Sequence, residues 1–248
     1  MRLHVFAALL LGFGSTLASA QSAQWSYEGH TGAFNWDKLD PAYKACGDGH
    51  EQSPIDIRGA HLNKALKPIE VHYLAGSATM VNTGHGVELI VHHGSYMIAN
   101  GMRYELEKVS FHHPSEGAVK GKLTDMDAQL LHKSADGKVS IVVVRLNLDE
   151  NHPNPTLATL WQHLPQTAGK SEEISDMVNA AGLLPSDPGY WTYTGSLTAP
   201  PCTEGVQWFV MEQNVGISRA QLRAFASLYR LNSRPLQDRH GRRIEANE

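Results

Sequence analysis

Eight short runs rich in β-branched, aromatic or alternating residues restrict the fold of this chain more than any other feature. They read "IEVHYL", "TMVNTG", "GVELIVHH", "YMIANG", "YELEKVSFHH", "DAQLLHK", "VSIVVVRLNL" and "VQWFVME". Gly, Asn, Asp or Pro separates most of them, as tight connections between strands require. Helical spacing, with apolar residues three and four apart, occurs in "TLATLWQHL" and "SRAQLRAFASLYRL", and Ser218 is placed to N-cap the second. "HPNP" and "TAPPC" read as shaped loops. No repeat, low-complexity segment or break in composition marks a linker. The prediction is a mainly β (α+β) architecture in a single domain over residues 21–248.

Residues 1–20 stand apart from that pattern. "MRLHVFAALLLGFGSTLASA" has Arg2 as its basic residue, an apolar centre from Val5 to Leu17 and a small-residue exit at Ala18-Ser19-Ala20. That composition predicts a secretory signal cleaved after Ala20, too short and too broken by glycine for a membrane span. No lipid-anchor cysteine or twin arginine accompanies it, so export to the periplasm or beyond without a membrane anchor is expected. Removing the 20 leader residues from 248 leaves 228, enough for a sizeable core. Without Arg2, 20 basic and 25 acidic residues leave a formal charge of −5, which gives no footing for nucleic acid. The basic run "DRHGRR" reads as a solvated tail. Cys46 and Cys202 are an even pair in an exported chain; a disulfide and two buried thiols are the readings open to them.

Several segments then align with one family. "WSYEGHTG", "QSPIDI", "NTGHGVELIV", "YELEKVSFHHPSEG", "MDAQLLHK" and "YWTYTGSLTAPPCTEGVQWFV" resemble, in order and spacing, the α-class carbonic anhydrases of the bacterial exported type. The resemblance runs from Trp25 to about Pro235. It implies a central twisted, mostly antiparallel sheet of about ten strands with peripheral helices and a conical site in one face. It also implies a Cys46–Cys202 disulfide and reversible hydration of carbon dioxide on a zinc ion held by three imidazoles.

The ligand positions depart from that pattern. The family's H-x-H reads Ser110-Phe111-His112 here, and its third ligand, in a segment like "MEAHLVHK", reads Gln129. His112 is the ligand retained. Strand parity turns His113 and His132 away from the face that carries His112 and Gln129. His132 matches a buried structural histidine, and His92-His93 reads as an exposed pair near a turn. Neither a serine hydroxyl nor a glutamine amide replaces imidazole, thiolate or carboxylate well on zinc. Lys108 stands where the family has a neutral glutamine, with Glu88 as its expected partner, and Asp127 replaces an orienting glutamate. No cofactor of high affinity is expected, and zinc only if an unorthodox ligand set operates.

The surrounding shell matches better. The resemblance implies that His85 is the proton-shuttle position and that Glu116 and Thr198 form the hydroxide-orienting pair. It places Leu131, Ile141 and Leu197 in an apolar pocket and Trp25, Gln52 and Trp208 at wall or scaffold positions. The expected protein resembles the acatalytic carbonic-anhydrase-related proteins, with a small anion, carbon dioxide or bicarbonate as the candidate occupant of the cone. Its partners stay unknown, and the alternative is an active enzyme with a non-standard ligand set.

Overall fold

A computed structural model describes residues 24–247, so the predicted signal peptide lies outside the described residues. Thirteen strands form the main sheet. The eight strands of five or more residues are numbered here in chain order: β1 Gly76–Asn82, β2 Val87–Val91, β3 Met102–His112, β4 Met126–Lys133, β5 Val139–Leu148, β6 Ser171–Val178, β7 Tyr190–Ser196 and β8 Glu204–Met211. Their order across the sheet is β6-β1-β2-β3-β4-β5-β8-β7, and two-residue strands at 245–246 and 61–62 extend the β7 edge. Neighbours along the eight are antiparallel except β5 and β8. The predicted mainly β architecture is observed. The strand count exceeds the expected ten because Glu70–His72, Tyr96–Ala99 and Val215–Ile217 pair off the main path.

Period-two burial makes the sheet two-sided. In β5, Val142, Val144 and Leu146 face a large core that also takes Leu157, Leu160 and Phe225 from the helices. Ile141 and Val143 face the opposite side, with Ile55, Tyr193 and Trp208. The helix Pro155–Trp161 is capped by the Asn154 side chain, which accepts from Leu157 N. The helix Arg219–Ala226 starts at Ser218, as its sequence predicts. Ser218 Oγ accepts from Gln221 N while Gln221 Oε1 accepts from Ser218 N, a complete capping box. Cys46 and Cys202 are joined in a disulfide with Cα atoms 5.1 Å apart, so the two-thiol reading is set aside. Among the described residues no helix is long and apolar enough to cross a membrane.

His132 is fully buried, and its Nε2 lies 2.6 Å from Tyr73 Oη. Burial pushes the imidazole down to about 4. A group depressed in this way contributes stability that is present above its unfolded value near 6.5 and lost as pH falls toward 4. The loss attributable to His132 is about 3 kcal/mol. Chemical denaturation of wild type and His132→Gln at pH 4, 5 and 6.5 checks this. The acid limb is expected to be shallower in the variant by that amount, and parallel limbs would contradict it.

Candidate functional site

A β-bulge in β3 sets the geometry of the site. Leu106 pairs with His132 and Lys108 with Leu131, so Glu107 is the extra residue. The bulge moves the buried face of β3 from Tyr104 and Leu106 to Val109 and Phe111. Lys108, Ser110 and His112 are thereby left together on the other face. Glu88 of β2 lies opposite Ser110 on one side, and Gln129 of β4 lies opposite it on the other. Leu131 is opposite Lys108, and Asp127 is opposite His112. Directly paired residues have Cβ atoms about 5 Å apart, so these side chains form one continuous floor.

That floor closes a cavity of about 310 Å³. Leu131, Ile141 and Leu197 form an apolar wall, with Thr198 beside them. Opposite them His85 stacks on Trp25, centroids 3.8 Å apart and planes within 7°. Burial in that stack lowers the His85 pKa. Lys108 Nζ donates to Glu88 Oε1 at 2.7 Å, as the sequence pairing anticipates.

Behind the floor lies a buried carboxylate network. His112 Nδ1 is 2.9 Å from Asp127 Oδ1, and Glu116 N donates to Asp127 Oδ2 at 2.9 Å. Asp127 therefore acts on His112 and on the Glu116 backbone. Glu116 is 2% exposed, so its oxygens depend entirely on internal donors. Oε1 accepts from Arg234 N at 2.9 Å, and Oε2 accepts from Gln129 Nε2 at 2.8 Å. The Thr198 hydroxyl also donates to this carboxyl. Burial raises the Glu116 pKa, and His112 opposes that rise. Burial alone would lower the His112 pKa. The carboxylates of Glu116 and Asp127 outweigh it and hold the imidazole up at about 9. His112 Nε2 stops 4.0 Å from Glu116 Oε2, beyond hydrogen-bond reach.

The remaining sequence-predicted positions fall outside the cone. Trp208, given a wall or scaffold position by the resemblance, is buried outside the cone, where Nε1 donates to Ser196 O. Trp208 and Ile141 lie on the same sheet face, but the tryptophan stacks on Tyr193 and fills the core instead of the wall. Gln52 bridges Cys202 O and Glu204 and accepts from Arg234. His113 turns away to Arg230 O, and His92 and His93 are exposed.

Sequence reasoning missed Arg234, Asn232 and Tyr27. Arg234 is 2% exposed and donates to Gln52 Oε1, Ser53 O and Cys46 O, tying the disulfide loop to Glu116. Asn232 holds the end of β3 by donating to Phe111 O and accepting from His113 N. Tyr27 and Asn232 both line the cone. An arginine in an irregular C-terminal segment carries no local signal of burial. Among the described residues no group of three or more His, Cys, Asp or Glu side chains is placed to hold a metal ion.

Comparison with known proteins agrees with this architecture. The profile of eukaryotic-type carbonic anhydrase matches residues 31–248. A carbonic anhydrase of Klebsiella pneumoniae is 35% identical over 245 residues, covering 98% of each chain. The structure of a hyperthermostable carbonic anhydrase from an active hydrothermal vent chimney superimposes with a TM-score of 0.87 at 36% identity, covering 91% of this chain and all of that one. Dioscorin complexed with ascorbate superimposes with a TM-score of 0.82 at 31% identity, covering 90% of this chain and 97% of that one. The family match, the identity over nearly the whole chain and the shared sheet agree: this chain belongs to the eukaryotic-type (α) carbonic anhydrase family, a family of lyases by its enzymes.

Proposed function

We propose that this chain is an exported member of the carbonic anhydrase family with a degenerate zinc site, hydrating carbon dioxide weakly or not at all. Its role is then ligand or partner binding. The carrying observation is the floor of the cone: Ser110 and Gln129 are directly paired across β3 and β4, with His112 two residues along the same face. Resemblance assigns the zinc ligands to these positions.

The donors present do not fit zinc. A tetrahedral catalytic site needs three nitrogen, sulfur or carboxylate ligands. Here one imidazole faces the position, beside a neutral hydroxyl and an amide. The amide nitrogen is committed to Glu116, and Lys108 Nζ adds a positive charge to the same cavity. Glu116 and Asp127 lie close by, but backbone and side-chain donors already engage them. The leader sequence and the Cys46–Cys202 disulfide support export.

One observation favours the alternative, an active enzyme with a non-standard ligand set. The residues matching the proton-shuttle and hydroxide-orienting positions, His85, Thr198 and Glu116, remain grouped around the cone. Stopped-flow hydration of carbon dioxide by the mature chain, with zinc added in excess, separates the readings. The expected rate is that of buffer alone. A sulfonamide-sensitive rate far above buffer would establish the alternative. Dioscorin, crystallised with ascorbate, supports small-ligand binding as a use of this fold outside hydration.

A further inference from the structure

Three hydrogen-bonding atoms on the floor of the cone have no hydrogen-bond partner among the described residues. Gln129 has committed its amide nitrogen to Glu116 Oε2, which leaves Oε1 as an open acceptor. Ser110, half-buried on the cone face, makes no side-chain hydrogen bond. His112 Nε2 is open as well, 4.0 Å from Glu116 Oε2. Gln129 and His112 are only 5% and 7% exposed, so what remains open on them faces the cone. These atoms face the cavity, where water or a ligand of matching polarity can meet them.

Charge narrows the class of ligand. Lys108 on the floor and Arg234 behind Glu116 supply positive charge, with His112 when protonated. Glu88, Glu116 and Asp127 offset all of it, so no surplus positive charge is left for an anion. Lys108 is also already paired with Glu88 at 2.7 Å. That pair presents a donor and an acceptor side by side. Adjacent hydroxyl groups match it, one accepting from the ammonium and its neighbour donating to the carboxylate. A hydroxyl, being both donor and acceptor, likewise suits the space between Ser110 Oγ and Gln129 Oε1.

We propose that the floor of the cone binds a small neutral polyol, two vicinal hydroxyls bridging Lys108 and Glu88 and a third lying between Ser110 and Gln129. The wall of Leu131, Ile141 and Leu197 takes the ligand's C–H face. A cavity of about 310 Å³ is at the small end of ligand sites and suits a molecule of monosaccharide size. The proposal rests on the zinc-free reading of the same site.

The test begins with zinc content, measured on the same sample of mature protein that is then titrated. Calorimetry and saturation-transfer NMR follow, with myo-inositol and D-ribose as polyols and sodium formate as the anion. The expected result is substoichiometric zinc and saturable binding of at least one polyol, without competition from formate. Ser110→Ala breaks no internal hydrogen bond and should keep its melting temperature while weakening the polyol by about three- to tenfold. Glu88→Gln should weaken it comparably. A zinc-free, folded protein that binds neither polyol overturns this proposal and leaves the zinc-free reading standing. Polyol binding indifferent to both substitutions, or displaced by formate, overturns it too. Stoichiometric zinc overturns the zinc-free reading and this proposal with it.

Discussion

Replacing Ser110 and Gln129 together by histidine is expected to raise zinc affinity by about 10⁴-fold or more. The two positions are cross-strand neighbours, and His112 shares the face of Ser110 two residues on, so three imidazoles would converge from β3 and β4. A single imidazole holds zinc at about the millimolar level, roughly −4 kcal/mol, whereas a complete site reaches about −10 kcal/mol or beyond. The difference of about 6 kcal/mol corresponds to about 10⁴-fold. Two effects oppose it. The double variant loses the Gln129–Glu116 hydrogen bond, worth about 1–3 kcal/mol because one partner is a carboxylate. Lys108 remains in the same cavity, yet its pairing with Glu88 offsets much of its charge. Neither cancels the gain. Competition against a chromophoric chelator measures it directly. Ser110→His alone supplies only two imidazoles and should fall well short. Equal zinc affinity in wild type and the double variant would show that the ligand positions are assigned wrongly.

Loss of the disulfide is the second large effect. Cys46 and Cys202 are 156 residues apart, and closing a loop of that length removes about 5 kcal/mol of chain entropy from the unfolded state. Both cysteines are buried beside Trp36 and Tyr43, where the double variant Cys46→Ala/Cys202→Ala buries no new polar group. The neighbouring loops stay tied by Arg234 Nη2 on Cys46 O and Gln52 Nε2 on Cys202 O. The variant is therefore expected to fold, with its melting temperature lowered by about 10–20 °C. Scanning calorimetry of the oxidised protein and the variant checks this. A shift of less than about 3 °C, equivalent to about 1 kcal/mol, would mean that the cross-link constrains the unfolded chain very little.

Much of this is legible in the sequence alone. Alternation identified the strands, Ser218 marked its helix, and parity separated His112 from His113 and His132. The break in that alternation was also present in the sequence. In "YELEKVSFH" the apolar residues run Tyr104, Leu106, then Val109 and Phe111, and the shift from even to odd positions is the bulge at Glu107. Without the bulge Lys108 would share the buried face of Leu106, and the Lys108–Glu88 pair on the cone floor could not form. What was not legible depends on long-range contacts. Arg234 reaches Cys46, Gln52 and Ser53 across more than 180 residues of sequence, and no local pattern announces a buried guanidinium there. Trp208 alternates correctly along β8, yet whether it lines the cavity or fills the core depends on Tyr193, which belongs to another strand. The internal partner of Gln129 was equally hidden. The sequence has an amide where the resemblance expects an imidazole; only the fold shows that amide donating to Glu116.

Zinc stoichiometry tests the degenerate metal site most directly. The mature, disulfide-bonded protein is equilibrated with a small excess of zinc, freed of unbound metal on a desalting column and analysed by atomic absorption beside native mass spectrometry. Much less than one zinc per chain and a native mass equal to that of the polypeptide are expected. One zinc per chain, retained through the column and lost in the His112→Ala variant, would contradict a degenerate site.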